Sequence, residues 1–256
     1  MDPGFVLLGL VVGVLVGMTG VGAGSLVTPA LALSGVPTAI AVGTDLAYAA
    51  VSKSFGALAH RVRGTLDLRV AGLLAAGSVP AAVFAIALLA AVGGQARSAL
   101  ISNFLAAALI LTALALLAGR DRVAGLAARH EARIAPLRAA LTIAAGAALG
   151  ALVTVSSVGA GALGAVLLLV LYPSMPAARV AGVDIAHAVP LTLVAGLGHL
   201  WLGTVDLGLV ANLLIGSVPG IVAGSLLAGR MPDAVARRLL AFVLLYAGAR
   251  LAFAGL

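Results

Sequence analysis

The chain of 256 residues has no cysteine, few aromatic residues and very few charged residues. Without cysteine, disulfide frameworks, thiolate metal sites and cysteine-dependent catalysis are all excluded. Charged residues make up 9% of the chain, whereas an average soluble domain has about 25%. The 15 Lys and Arg and the 8 Asp and Glu are too few to cover the surface of a soluble protein of this size. A cytosolic globular enzyme and a disordered chain are therefore excluded.

Hydrophobic residues make up 63% of the chain, and the mean hydropathy is +1.24. Most of them are Ala, Leu and Val, and the chain also has 33 Gly, a composition typical of closely packed membrane helices. The net charge of +7 therefore does not indicate a nucleic-acid-binding protein. The N-terminal Met-Asp-Pro-Gly also lacks the basic stretch of a signal peptide. We expect an integral protein of the bacterial inner membrane with almost no mass outside the bilayer.

Eight apolar runs follow one another along the chain, and a transmembrane helix needs about 20 apolar residues. The runs are 5–36, 39–59, 68–92, 99–118, 134–172, 177–202, 207–228 and 239–256. The first and the fifth run are too long for one straight helix, and glycine clusters interrupt both. The pattern predicts an all-α, polytopic integral membrane protein of about 8–10 membrane helices, with a broken first helix in each half.

The two halves of the chain are related by an internal repeat. A shift of 139 residues superimposes identical residues: Asp45 on Asp184, His60 on His199, Thr65 on Thr204 and Pro80 on Pro219. Matches of Ala and Leu would arise by chance in this composition, but matches of Asp, His, Thr and Pro would not. We predict an N-terminal repeat at 1–118, a cytoplasmic connecting loop at 119–133 and a C-terminal repeat at 134–256, as in internally duplicated transporters.

Charge differs between equivalent loops of the two halves. The loop 60–69 has three arginines, whereas the equivalent loop 199–208 has none. One loop later the difference is reversed, because 229–238 has three basic residues and 93–97 has one. Basic loops face the cytoplasm, so equivalent loops face opposite sides of the membrane. The sequence predicts two inverted repeats with both termini outside, provided that each broken first segment turns back at its glycine cluster.

Three motifs occur in the same order in both halves. The first half contains Gly20-Val21-Gly22-Ala23-Gly24-Ser25, Ala41-Val42-Gly43-Thr44-Asp45-Leu46 and Gly64-Thr65-Leu66-Asp67. The second half contains Ser156-Ser157-Val158-Gly159-Ala160-Gly161, Val180-Ala181-Gly182-Val183-Asp184-Ile185 and Gly203-Thr204-Val205-Asp206. This ordered set resembles the TauE/SafE family of sulfite exporters over essentially the whole chain. Two departures are that Ala23 and Ser25 interrupt the usual run of three glycines, and that Thr44-Asp45 stands in place of the usual Thr-Ser.

The resemblance implies a secondary carrier for sulfite or a small organosulfonate that works by alternating access, with proton coupling left open. An uncoupled anion channel of the same fold is the alternative. Nothing in the sequence indicates an enzyme, because it has no nucleotide-binding loop, no histidines with metal-ligand spacing and no Ser-His-Asp set. We expect no cofactor, no metal and no nucleic acid. The expected partners are the anionic substrate and the lipid bilayer, and a homodimer is left open.

The two glycine-rich patches are the first candidates for substrate binding. Irregular backbone is tolerated at membrane depth only inside protein or beside a wet cavity, and a helix that begins after such a patch presents N–H groups to an anion. Neighbouring serines add hydroxyl donors. The predicted binding residues are Gly22, Gly24, Ser25, Thr44, Lys53, Ser156, Ser157, Gly159 and Gly161. The alternative interpretation of the patches is close helix packing through small residues.

Three charged residues lie well inside apolar runs, namely Asp45, Lys53 and Asp184. A carboxylate inside the membrane costs about 2.5–3.5 kcal/mol on insertion scales, so each of these acids is a functional hypothesis. Asp45 and Asp184 could carry a coupling proton, or they could hold an unwound patch open by accepting backbone N–H bonds. His187 follows Asp184 by three residues on the same helix face. It would either extend a proton relay or be a hydrogen-bonded core residue.

Lys53 is the only lysine and follows Asp45 by eight residues, about 12 Å along a helix, which is too far for an ion pair within that helix. Its ammonium could neutralise an anion in transit. Alternatively, its long side chain could extend to the membrane surface near Arg61. The equivalent residue of the second half is Thr192, so the repeat does not require a lysine at this position.

Overall fold

The computed structural model describes residues 2–19, 24–227 and 233–254, and over these residues the chain forms helices and no β-strand. Its helices are α1 (Pro3–Thr19), α2 (Gly24–Leu33), α3 (Thr38–Val62), α4 (Leu68–Val92), α5 (Gly94–Ala118), α6 (Arg120–Ala128), α7 (Glu131–Ile134), α8 (Arg138–Ser156), α9 (Ala162–Leu171), α10 (Ala177–Trp201), α11 (Leu207–Leu227) and α12 (Asp233–Ala254). A short 3-10 turn at Ala135–Leu137 joins α7 to α8.

Five of the described helical segments are long and apolar enough to cross a membrane. They are Leu68–Val92, Gly94–Ala118, Glu131–Ser156, Ala177–Trp201 and Leu207–Leu227. Large apolar side chains, including Phe84 and Phe242, are exposed on the outside of the helix bundle, where lipid would surround them. These features confirm the predicted all-α, polytopic membrane fold.

The helices of the two halves follow the same order. In the first half α1 and the short α2 precede three long helices, α3 to α5, and in the second half α8 and the short α9 precede α10 to α12. Both α3 and α10 begin directly after a proline, Pro37 and Pro176, whose fixed φ suits the residue before a first helical turn. Between the halves, α6 and α7 lie in the predicted connecting segment.

The break in the first helix of the second half lies between α8 and α9. Ser157, directly after α8, has a left-handed backbone with φ of 57°. Gly159 and Gly161 have φ of 124° and 133°, a region that other residues rarely adopt. In the first half α1 ends at Thr19 and α2 begins at Gly24, and the intervening residues lie outside the described part of the chain. In the second half the glycine-rich patch therefore separates two helices.

Small residues let helices of opposite halves approach closely. Gly9 of α1 lies against the backbone of Leu213 in α11, so that an added Cβ would collide with it. Two turns later Gly17 meets the backbone of Ile221, and α1 and α11 therefore run parallel. Such contact between backbones is the usual role of glycine in membrane helix packing.

The helices α8 and α4, which are equivalent to α1 and α11, make the same kind of contact. Gly146 of α8 meets the backbone of Leu74 in α4, and Gly150 meets that of Ser78, so α8 and α4 also run parallel. The two equivalent helices α3 and α10 pack against each other, as do α5 and α12. Each half is therefore completed by helices of the other half rather than forming a separate bundle.

The helices α3 and α10 run antiparallel at the centre of the protein. Gly43 near the start of α3 meets the backbone of Thr204, just beyond the end of α10. Near the other end of α3, Gly56 lies against Ile185 in the first third of α10. Equivalent residues near the starts of these two helices consequently lie at opposite ends of the pair.

The Gly-Thr-x-Asp motif forms the same turn in both halves. His60 Nδ1 lies 2.7 Å from Thr65 Oγ1, and His199 Nδ1 lies 2.8 Å from Thr204 Oγ1. In the first of these turns the Asp67 side chain accepts hydrogen bonds from the backbone of the first residues of α4. The motif thus ends one helix and caps the next, a structural role that satisfies exposed N–H groups.

Candidate functional site

Asp45 joins three parts of the protein within the membrane region. It lies in the first third of α3 and is completely buried. Its Oδ2 accepts a hydrogen bond from Thr28 Oγ1 of α2 at 2.5 Å and another from Ser157 Oγ at 2.8 Å. The carboxylate therefore links α2 of the first half to the break between α8 and α9 of the second half. Its other oxygen has no hydrogen-bond partner among the described residues.

Lys53 lies two turns further along α3 and is also buried, with 7% of its surface exposed. Its Nζ donates a hydrogen bond to the carbonyl oxygen of Ala160 at 3.2 Å, inside the same break. An ammonium has three N–H groups, so this bond leaves two of them without a partner in the described part of the chain. The side chain points inward and does not extend towards the membrane surface near Arg61.

Asp184 lies against the start of α9. It is 4% exposed, and its Oδ1 occupies the space that a Cβ on Gly164 would require. The backbone of Gly161 also interacts with this carboxylate, whereas Oδ1 has no hydrogen-bond partner among the described residues. The first N–H groups of a helix carry a partial positive charge that attracts anions. The Asp184 carboxylate therefore lies where an anion would be stabilised.

The charges of Asp45, Lys53 and Asp184 act on one another without forming a close ion pair. Lys53 interacts electrostatically with both carboxylates. Among the described residues an ion pair within 4.0 Å joins only Arg138 and Glu131, which are not part of this cluster. The buried cluster has one ammonium and two carboxylates. Its net charge therefore depends on whether the acids are protonated.

His187 is completely buried on the face of α10 that carries Asp184, as the spacing predicts. Neither of its ring nitrogens has a hydrogen-bond partner among the described residues. The equivalent residue of the first half, Tyr48, is also completely buried, and its hydroxyl has no hydrogen-bond partner in the part of the chain that the structure describes. His187 also interacts electrostatically with Lys53 and with the backbone of Asp184, and its role stays a prediction.

Two of the predicted binding residues make contacts of a different kind. Thr44 Oγ1 accepts a hydrogen bond from the backbone N–H of Asp206 at 3.0 Å, which ties α3 to the turn before α11. Ser156 Oγ donates to the carbonyl oxygen of Leu152 at 2.7 Å and accepts a hydrogen bond from the backbone N–H of Val158 at 3.2 Å, which ties the end of α8 to the first residues of the break. The structure brings neither hydroxyl to the cluster of Asp45, Lys53 and Asp184.

The first glycine-rich patch is described only in part. Gly22 lies outside the described residues, and Gly24 and Ser25 begin α2, with only the backbone of Ser25 described. Sequence reasoning missed Thr28, the hydroxyl partner of Asp45 one turn further along α2. The available signal was a polar residue at helical spacing after the patch, within an otherwise apolar run. Among the described residues, no group of three His, Cys, Asp or Glu could hold a metal ion.

Comparisons with known proteins agree with the motifs. The sequence model of the family described as "Sulfite exporter TauE/SafE" matches residues 5–251. A curated protein of Bacillus subtilis (strain 168), named "Probable membrane transporter protein YjnA", is 36% identical over 255 residues. The alignment covers 98% of this chain and 100% of that protein. No solved structure matches the chain.

Proposed function

Because the chain belongs to the sulfite exporter TauE/SafE family, we propose that it is a secondary transporter that moves sulfite or a small organosulfonate across the bacterial inner membrane. The observation that carries the proposal is the buried cluster at the break between α8 and α9. There two N–H groups of Lys53 have no partner among the described residues, and the first N–H groups of α9 lie nearby. A cation and a helix start in a dry site are a suitable environment for a small oxyanion.

The helix packing supports an inverted-repeat architecture for this transporter. In the internal repeat α1 is equivalent to α8 and α11 to α4, so the parallel pairs α1–α11 and α8–α4 are equivalent contacts. The equivalent helices α3 and α10 run antiparallel. If the pairs α1–α2 and α8–α9 each enter and leave the membrane on the same side, each half crosses the membrane an odd number of times. This odd number would give the two halves opposite orientations. The arginine-rich loops would then all face the cytoplasm and both termini the outside.

The contacts of Asp184 and Asp45 indicate that α9 turns back within the membrane, as the inverted-repeat architecture requires. Asp184, in the first third of α10, lies against Gly164 near the start of α9. The break that precedes α9 touches Asp45, which lies towards the other end of the antiparallel α3–α10 pair. From Ser157 to Gly164 the chain therefore returns towards the side from which α8 entered. Transport would alternate access by movement of one repeat against the other around this site.

Charge balance in the cluster supports coupling to protons. When both acids are ionised, the two carboxylates outweigh Lys53 and the cluster repels an anion. Protonation of one carboxylate makes the cluster neutral and frees the ammonium for the substrate. We assign this role to Asp184, whose Oδ1 has no hydrogen-bond partner among the described residues and lies at the start of α9. His187 lies one turn away, its ring nitrogens have no hydrogen-bond partner among the described residues, and it would pass the proton.

Asp45 fits the scaffold role better than the coupling role. Two hydroxyl groups from opposite halves already donate to its Oδ2, and these bonds hold α2 against the break. Hydrogen bonds to a charged group contribute about 1.5–3 kcal/mol each. An uncoupled anion channel remains the second candidate, and in a channel neither acid would need to change its protonation state.

Ligand-induced stabilisation of the purified protein tests the substrate class. Melting temperatures would be measured with sulfite, thiosulfate, sulfate, sulfoacetate and taurine for the unaltered protein and for Lys53→Gln. We expect sulfite or a sulfonate to raise the melting temperature, because a ligand at 100 times its dissociation constant adds about 2.7 kcal/mol of stability. The same ligand should bind Lys53→Gln at least tenfold more weakly, a loss of about 1.4 kcal/mol of binding free energy, and should therefore raise its melting temperature less.

The control is Thr192→Val, which changes the equivalent residue of the second half and removes no charge. It should bind as the unaltered protein does. Equal stabilisation of Lys53→Gln and the control would contradict a binding role for the ammonium. Stabilisation by none of the five anions would contradict the substrate class.

A further inference from the structure

Three arginines converge on a pocket at the junction of α5, α6 and α12. The pocket has a volume of about 240 Å³ and is lined by Arg122, Arg237 and Arg238, together with the last turn of α5. We propose that this pocket binds the phosphate headgroup of an anionic phospholipid. The site is separate from the buried cluster, so the proposal does not depend on the transported substrate.

Local backbone geometry brings the three arginines together. α5 ends at Ala118, and Gly119, with φ of 77°, turns the chain directly into α6, which carries Arg122. α12 packs along α5, and its first turns carry Arg237 and Arg238. None of these guanidinium groups forms an ion pair within 4.0 Å in the described part of the chain. Three guanidinium groups around one cavity provide forked donors for phosphate oxygens.

The surroundings of the pocket favour a lipid over free phosphate. Leu116 and Leu117 line the pocket beside the arginines, and Leu117 is 48% exposed. Further along α5 and α12, Leu114 is 54% exposed and Phe242 is 71% exposed. Acyl chains attached to a bound phosphate would cover these apolar side chains. The pocket also lies at the end of the bundle that the arginine distribution assigns to the cytoplasm, where basic pockets between membrane helices bind anionic headgroups.

Lipid retention by the full-length protein tests the proposal. The purified protein in neutral detergent would be titrated with phosphatidylglycerol or with phosphatidylcholine of the same acyl chains, and bound lipid would be counted by native mass spectrometry. We expect the unaltered protein to prefer phosphatidylglycerol. The triple variant Arg122→Gln, Arg237→Gln, Arg238→Gln should bind it about 100-fold more weakly, because three basic residues near an anionic headgroup are lost.

The end of α3, the following turn and the start of α4 carry three arginines, which provide a matched control with the same loss of charge. The triple variant Arg61→Gln, Arg63→Gln, Arg69→Gln should retain phosphatidylglycerol as the unaltered protein does. An equal loss in both triple variants would overturn the proposal, because it would show a general charge effect. Equal binding of the two lipids would also overturn it.

Inorganic phosphate distinguishes the lipid from a free anion. We expect millimolar phosphate to leave the bound phosphatidylglycerol in place, because phosphate lacks acyl chains. Displacement of the lipid by phosphate would overturn the lipid assignment in favour of a free-anion site. The single variants Arg122→Gln and Arg238→Gln serve if the triple variant is not folded, and each should weaken lipid binding by about fivefold, for about 1 kcal/mol per arginine. Unchanged binding in both would contradict the proposal.

Discussion

At the scale of single residues, the two buried acids differ in what surrounds them. Asp45 is held by the hydroxyl groups of Thr28 and Ser157, whereas Asp184 lies against the bare backbone at the start of α9. The repeat places the two acids at equivalent positions and so predicts equivalent roles. The structure breaks this equivalence because serine and threonine donors surround only Asp45 among the described residues. We therefore propose different roles for the two acids, because their partners differ.

Replacement of each acid by its amide separates coupling from scaffolding. We expect Asp184→Asn to be produced in normal amounts but to lose most of the substrate flux that a proton gradient drives, by about 10²-fold or more, as for loss of a proton-transfer group. Asp45→Asn should instead lower yield and melting temperature, because an amide accepts the two hydroxyl bonds less strongly than a carboxylate. Flux in proteoliposomes with and without a pH difference, and the melting temperature in detergent, measure the two effects.

The opposite pattern would contradict the assignment. If Asp45→Asn is stable and loses only proton-driven flux, while Asp184→Asn fails to fold, the roles of the two acids are exchanged. If both variants keep proton-driven flux, neither acid carries the coupling proton.

Residue types and spacing were enough to predict part of this site. Asp45, Lys53 and Asp184 are conspicuous because a charge is costly in an apolar run. Thr28 is not conspicuous, because a threonine in a membrane helix can satisfy its hydroxyl within its own helix. The partner of Lys53 is a backbone carbonyl of Ala160, and no side-chain pattern identifies a backbone partner. Such contacts depend on where the break between α8 and α9 lies in space.

At the scale of helices, glycines determine which surfaces meet. α4 carries two glycines with different surroundings. A Cβ on Gly77 would collide with the backbone of Ile143 in α8, whereas a Cβ on Gly72 would meet nothing within 4 Å. Composition alone shows that glycine is frequent, but it does not distinguish a glycine at a helix contact from one that faces lipid. The position of the partner helix is needed for that distinction.

The two glycines of α4 provide a matched pair of substitutions. Gly77→Ala should force α4 and α8 apart and lower the melting temperature, with a loss of about 1–3 kcal/mol, typical of overpacking. Gly72→Ala should be neutral or stabilising by up to about 1 kcal/mol, because alanine favours the helix. Thermal unfolding of both variants in the same detergent measures the difference. Equal stability of the two variants would contradict the close approach of α4 and α8.

The break between α8 and α9 was predictable, but its consequence was not. A long apolar run interrupted by glycines predicts two helices rather than one. The left-handed Ser157 is not expected from its residue type, because serine rarely adopts a positive φ. The hydrogen bond from Ser157 to Asp45 offsets the cost of this conformation. A tertiary contact between the two halves therefore determines a local backbone feature.

At the scale of the whole molecule, the internal repeat links the charge pattern to helix packing. Matched Asp, His, Thr and Pro residues revealed the duplication from the sequence, and unequal arginine counts predicted opposite orientations of the copies. The sequence did not predict that each half packs mainly against the other, with α1 along α11 and α8 along α4. Contacts between distant segments depend on shape, and the hydrophobic pattern of a membrane helix contains little information about its neighbours.

Cysteine labelling tests the orientation of the two copies, and the chain has no natural cysteine to interfere. We expect a membrane-impermeant maleimide to label Trp201→Cys in intact cells but Arg63→Cys only after permeabilisation, because these loops are equivalent and face opposite sides. A control with no introduced cysteine should remain unlabelled. Labelling of both positions from the same side would exclude the inverted arrangement.

The proposed function is proton-coupled transport of a small sulfur oxyanion. The most direct measurement is the accumulation of radiolabelled sulfite in proteoliposomes with an imposed pH difference and equal sulfite on both sides. We predict that sulfite becomes more concentrated on one side, that the accumulation disappears when an ionophore collapses the pH difference, and that Asp184→Asn does not accumulate it. Sulfite that only equilibrates, with a flux that does not respond to the pH difference, would contradict the claim and identify an uncoupled channel.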